Sequence, residues 1–171
     1  MKKKIINILF IIGLIFYLLI ILKFILFKYV SPLQLFSSDR LSVRSINLIP
    51  FYNLIIGPYI KLDIIGNIIL FIPMGIYINI LSKNSTIFKN IIKIAIISVF
   101  FECSQYIFGL GATDITDVFT NTIGGITGIG IFTLIKKLFK TDSATKTFIT
   151  ICSSIILLLV SSLLIILTLA N

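Results

Sequence analysis

The sequence predicts an all-α integral membrane protein, a bundle of about five transmembrane helices, and three observations carry that prediction. Apolar residues make up 58% of the 171 residues and charged residues only 12%, with a mean hydropathy of +1.16. Soluble domains carry about a quarter charged residues. Five apolar runs, 5–27, 62–81, 90–109, 117–135 and 148–170, are each able to cross a hydrocarbon core, which takes about 20 residues at about 1.5 Å of rise. The basic residues, finally, collect in the connections on alternate sides of these runs.

The first run follows Lys2, Lys3 and Lys4. It is longer than the apolar stretch of a signal peptide and no small-x-small cleavage pattern follows, so it is expected to stay as a helix. The long connection after it, 28–61, holds the oily stretch INLIPFYNLIIGPYI, broken by Pro50, Gly57 and Pro58. Each proline lacks an amide donor that lipid cannot replace, which argues for an interfacial or re-entrant segment rather than a span. In the second run Pro73 frees the carbonyl of Ile69 and is expected to bend the helix. The stretch KKLFKTDSATK between the last two runs reads as a solvated connector. Cys103 and Cys152 fall inside spans, where a thiol acts as a small apolar group, and no disulfide is expected. Histidine and tryptophan are absent, which removes the imidazole base and every histidine-dependent metal site.

A net charge of +9 raises the question of nucleic acid, but the basic residues lie in short connections, so no nucleic-acid partner is expected. Topology explains them. An N-terminus in the cytoplasm puts Lys2, Lys3, Lys4, Lys83, Lys89, Lys93, Lys136, Lys137, Lys140 and Lys146 inside, against Lys28, Arg40, Arg44 and Lys61 outside. Lys23 snorkels outward from the end of helix 1. The positive-inside rule then sets the N-terminus in the cytoplasm and the C-terminus outside it.

Of the six acids, Asp39 and Asp142 lie in connections, while Asp63, Glu102, Asp114 and Asp117 lie within or at the ends of helices 2, 3 and 4. Carboxylates at membrane depth are costly and face protein or a wet cavity. At about 100° per residue, Asp114, Asp117, Asn121, Gly124 and Gly128 share a stripe about 80° wide, polar above and glycine below. The glycines admit a neighbouring helix at close range. Ser98, Glu102, Gln105 and Gly109 form a similar stripe on helix 3, and Asp63, Gly66 and Asn67 share a face of helix 2. Depths agree: Asn67 and Asn121 each lie about 6 Å below an acid one turn above, and Glu102 about 10 Å below the outer end of helix 3. Acids and amides from three helices are thus expected to converge near the extracytoplasmic surface, with Arg40 and Arg44 as counter-charges. Polar side chains in bundles also join helices, but amides do that as well as acids, and Asp63 and Asp114 are placed to serve as helix N-caps.

Four stretches in order, RSINLIPF (Arg44 to Phe51), DIIGNIILFIPMG (Asp63 to Gly75), ECSQ (Glu102 to Gln105) and TDITDVFTNTIGGITG (Thr113 to Gly128), resemble the VanZ-like family. The resemblance covers 44–135, helices 2 to 4, as the core of a single membrane domain spanning 1–171, with an N-terminal helix in 1–30 and a C-terminal helix in 148–170. The family's recurrent positions match Arg44, Asn47, Pro50, Phe51, Asp63, Asn67, Phe71, Pro73, Gly75, Glu102, Gln105, Asp114, Asp117, Asn121 and Gly124. Many members carry an arginine before the acidic pair, where this chain reads GLGAT. The family takes its name from proteins associated with resistance to the lipoglycopeptide teicoplanin, so the resemblance implies a multi-pass protein of the bacterial cytoplasmic membrane with that role.

Two functions fit these residues. One is binding of an amphiphile at the outer leaflet, either a lipid-tailed glycopeptide antibiotic or a lipid-linked envelope precursor, with its head group at Arg44, Asp117 and Asn121 among membrane lipids. The polar pocket comprises Arg44, Asn47, Asp63, Asn67, Glu102, Gln105, Asp114, Asp117 and Asn121, with Pro73, Gly75, Gly124 and Gly128 shaping helix packing. The other is an enzyme acting on a lipid-linked substrate, with Asp63, Glu102, Asp114 and Asp117 as an acid and base pair or as oxygen ligands for a hard cation, Mg²⁺ or Ca²⁺. Without a histidine, a serine-nucleophile motif or a strong metal signature, the residues favour binding over catalysis; no cofactor is expected and no catalytic residue is assigned. Ion or proton transport would need acids along a path across the membrane, whereas these lie near one surface.

Overall fold

The computed structural model describes residues 2–32, 43–52 and 60–169. In chain order they form α1 (Lys2–Ile21), prolonged by a π-helical turn (Leu22–Leu26), then β1 (Val43–Asn47), α2 (Ile60–Leu81), α3 (Ile87–Phe108), β2 (Leu110–Asp114), α4 (Ile115–Phe139) and α5 (Asp142–Leu169). Five helices are long and apolar enough to cross a membrane, in the order and close to the bounds the hydropathy predicts, so this is a multi-pass helical membrane protein. Large apolar side chains are exposed, and several polar ones are buried among the helices. Leu62 and Leu138 are each 77% exposed, while Asn67, Ser98, Glu102, Gln105 and Asn121 are buried. Lipid solvates the first set, and neighbouring helices must satisfy the second.

The chain divides into two compact units, Ile21–Phe132 and Met1–Ile20 with Thr133–Asn171. The first unit is held by a glycine seam between α2 and α4. A Cβ on Gly124 would strike the Ile68 carbonyl, one on Gly128 the Ile72 carbonyl, and one on Gly75 the Gly125 carbonyl. Only hydrogen at these positions lets the two backbones touch, and dispersion between them then replaces the hydrophobic drive that lipid removes. α2 is helical on both sides of Pro73. The Phe71 ring, fully buried, meets Phe101 edge-on at 6.3 Å and ties α2 to α3. Thr86 caps α3 by accepting from Lys89 N, and Gly109 ends it in the left-handed region at φ 58°.

Directly after that cap the chain turns into β2, which pairs in parallel with β1, Arg44 opposite Gly111 and Asn47 opposite Asp114. Within the segment expected to be interfacial or re-entrant, Val43–Asn47 is therefore a strand. Its backbone groups find partners on β2, which answers the same hydrogen-bond demand that argued against a proline-broken span. Because two spanning helices separate the strands, nothing local in the sequence signals the pair. Gly57 and Pro58 lie outside the described residues.

In the second unit the stretch read as a solvated connector is almost entirely helical. α4 continues to Phe139, Lys140 takes φ 59°, and α5 begins at Asp142. Thr141 Oγ1 accepts from Ala144 N at 3.2 Å, and Lys136 pairs with Asp142 at 2.9 Å. A capping hydroxyl and a charge pair across a short turn thus extend both helices where polarity alone suggested a loop. Lys146 donates to Asn7 at 2.8 Å and lies over the Phe10 ring, 4.4 Å from its centre, joining α5 to α1.

Candidate functional site

Where α2 and α4 begin, a cavity of about 90 Å³ is lined by Lys28, Tyr29, Phe51, Asp63, Ile64, Ala112, Asp114, Thr116 and Asp117. That is room for a few waters or one small polar group. Asp63 stands in the first turn of α2, and Lys28 just past the π-helical turn reaches it with Nζ at 3.1 Å from Oδ2. Burial alone pushes the Lys28 ammonium down. The negative surroundings of Tyr29, Asp117 and Asp63 outweigh it, holding the pKa above the ordinary 10.5, so Lys28 is charged at neutral pH.

Asp114, the last residue of β2, is the N-cap of α4, with Oδ1 accepting from Thr116 N at 2.8 Å. Its Oδ2 accepts from Asn47 Nδ2 at 3.1 Å, and Asn47 Oδ1 in turn accepts from Ile49 N at 3.1 Å. One carboxylate therefore fixes β1, β2 and α4 together. Phe51, at φ 57°, donates its backbone N–H to Thr116 Oγ1 at 2.9 Å, which brings its ring to the cavity. Asp117 lies in the first turn of α4, where the helix dipole favours an anion, with the Asn67 amide beside it. Asn67 also donates to Thr120 Oγ1 at 3.5 Å.

Behind this wall sits Glu102, 3% exposed, whose Oε2 accepts from Asp114 N at 2.9 Å while its own carbonyl accepts from Thr113 Oγ1 at 3.1 Å. Gln105 donates to the Ile25 carbonyl of the π-helical turn at 2.8 Å, and Asn121 donates to Ser98 Oγ at 2.9 Å. Glu102 Oε1, Gln105 Oε1 and Asn121 Oδ1 are buried without a hydrogen-bond partner.

Among the residues singled out from the sequence, Asp63, Asp114 and Asp117 line the cavity, Asn47 and Glu102 bond to the lining residue Asp114, and Asn67 lies beside Asp117. Gln105 instead joins α3 to the π-helical turn, and Asn121 joins α4 to α3. Asp114 does not extend the α4 stripe, because it belongs to β2 and precedes the helix. The expected counter-charge is also corrected. Arg44 turns to the Ile107 carbonyl at the end of α3, 3.3 Å away, as a cation at a helix C-terminus does. Lys28 occupies the role assigned to it, and Arg40 lies outside the described residues. Among the described residues no three acidic or sulfur side chains group as metal ligands, Asp63, Glu102, Asp114 and Asp117 included. Pro73, Gly75, Gly124 and Gly128 lie on α2 and α4, and the three glycines form the seam. Sequence reasoning left out Lys28, Tyr29 and Thr116. For Lys28 the only available signal was its place just beyond the first apolar run, at the level of the carboxylate that opens the second.

A family model described as VanZ/LLP1 matches residues 14–136. The chain is 37% identical over 122 residues to Protein VanZ of Enterococcus faecium, an alignment covering 71% of each chain. No solved structure matches. The family match runs from within α1 into α4, so it takes in Lys28 and every other residue around the cavity.

Proposed function

The chain belongs to the VanZ/LLP1 family, and from that premise we propose that it protects a bacterium against lipid-tailed glycopeptides such as teicoplanin by binding an amphiphile at the cavity. The observation that supports this is a small charged cavity set among helices whose outer faces are apolar. A head group enters the cavity while its hydrocarbon tail lies along the bundle, so each part keeps the surroundings it prefers.

The site belongs to the outer leaflet of the bacterial cytoplasmic membrane. Asp117 opens α4 while Lys136 and Lys137 close it, about 30 Å apart along the helix and so about one hydrocarbon core. Lys83, Lys89 and Lys93 gather at the α2–α3 turn. The positive-inside rule sends those ends to the cytoplasm, which sets the N-terminus inside and the C-terminus outside.

Expression in a susceptible bacterium tests the reading. Wild type is expected to raise the tolerated concentration of teicoplanin selectively over vancomycin, and Asp117→Asn to lose most of that protection while still accumulating in the membrane. Equal sensitivity with and without wild-type protein overturns it. A mass change in the antibiotic or in an envelope lipid would replace binding with catalysis.

A further inference from the structure

The sign of the cavity says what kind of head group it accepts. The described residues lining it include one basic side chain, Lys28, against three acidic ones, Asp63, Asp114 and Asp117, and Arg44, the other described cation nearby, is turned away to the Ile107 carbonyl. Tyr29 and Phe51 supply aromatic walls. Carboxylates beside aromatic faces attract an ammonium twice, by charge and by the ring quadrupole. A phosphate would meet like charge and find one lysine already committed to Asp63.

Lys28 shows how such a group is held. Its Nζ lies 3.1 Å from Asp63 Oδ2 and 5.2 Å from the centre of the Tyr29 ring. That is an ammonium between a carboxylate and an aromatic face, supplied by the chain itself. The third acidic wall, Asp117, has the Asn67 amide beside it, and the volume of about 90 Å³ takes an ammonium with a few attached atoms, the part of a larger head group that reaches the cavity. Resting on the amphiphile-binding reading above, we propose that the cavity recognises the cationic ammonium of its amphiphile, with Asp117 as the principal contact and Lys28 as an internal competitor for the same surroundings.

The test uses full-length protein in nanodiscs of zwitterionic lipid, with dodecylammonium and dodecyl phosphate as probes of equal tail length. Dodecylammonium is expected to bind about tenfold more tightly near pH 7, and added salt to narrow the gap. Asp117→Asn is expected to abolish the preference. Lys28→Met is expected to tighten ammonium binding, since Asp63 is then released to the ligand, a gain that a loosened fold would not produce. Equal binding of the two probes, or preference for the phosphate, overturns the ammonium inference and leaves amphiphile binding standing. Binding of neither overturns both. The wild-type comparison decides the matter even if a variant fails to fold.

Discussion

Two lysines at opposite ends of the first unit are held in different ways, and the contrast separates a helix joint from a site. Lys93, near the start of α3, is held by neutral acceptors: Ser82 Oγ at 2.9 Å, Ser85 Oγ at 3.3 Å and Asn90 Oδ1 at 3.4 Å. Around it the amides close on themselves, Asn90 donating to Asn79 Oδ1 at 3.0 Å and Asn79 to the Gly75 carbonyl at 2.8 Å. Lys28, at the other end, is held by a carboxylate on the wall of a cavity. There the acids are fixed from behind by backbone N–H groups and side-chain amides, and buried Glu102 keeps one oxygen without a partner. A joint needs only amides and hydroxyls. Several carboxylates gathered around open space cost more than helix joining requires, which is what the proposed binding role accounts for.

The largest effect should strike both ends at once, because both hang on the glycine seam. In Gly128→Ala the new methyl would meet the Ile72 carbonyl, and the backbones must part. The expected cost is at least about 2 kcal/mol, since a rigid backbone cannot yield as a side chain does. Gly130→Ala, on the same helix with nothing within 4 Å, should be neutral or stabilising by up to about 1 kcal/mol. Thermal unfolding of the two variants in detergent compares them, and equal midpoints would mean that α2 and α4 do not touch.

A smaller pair of substitutions sharpens the contrast between the ends. Asp114→Ala removes the α4 cap and the acceptor for Asn47 together, an expected loss of about 2 kcal/mol. Antibiotic protection should fall with it, because β1, β2 and Phe51 lose their anchor at the cavity. Asn90→Ala opens the closed amide network for about 1 kcal/mol. Protection should survive that change. Loss of protection from Asn90→Ala in a protein that still folds would show that the polar cluster around Lys93 belongs to the function as well.

How far this division could be read from the sequence depends on the range of each interaction. The helices were legible because hydropathy and a 3.6-residue period are written locally, and the carboxylates stood out because membrane depth makes them costly. Asp114 allowed two readings. Lying three residues before Asp117 it falls on a helical stripe, and standing ahead of an apolar helix it also fits an N-cap, and β2, which places it before α4, decides for the cap. The strand pair was hidden because its partners lie on either side of two spanning helices. The cations were exchanged for a related reason. Charge alone made Arg44 and Lys28 equivalent, and only the pairing of β1 with β2, which carries Arg44 to the end of α3, decides which one faces the carboxylates.

The smallest effect on stability belongs to Lys28 itself. Its partner carboxylate is 50% exposed, so water screens the ion pair, and Lys28→Gln should cost less than about 1 kcal/mol in unfolding. The sign of its pH dependence follows from the upward shift. A lysine whose folded pKa is raised contributes fully below its ordinary value of 10.5 and loses that contribution as pH climbs through the folded value. The gap between wild type and Lys28→Gln should therefore be constant from about pH 6 to about pH 9 and close only in strong alkali. A gap that closed below about pH 9 would mean that burial, which pushes the ammonium down, outweighs the anions around it, and the cavity would then lack the negative field that separates this end of the bundle from the one around Lys93.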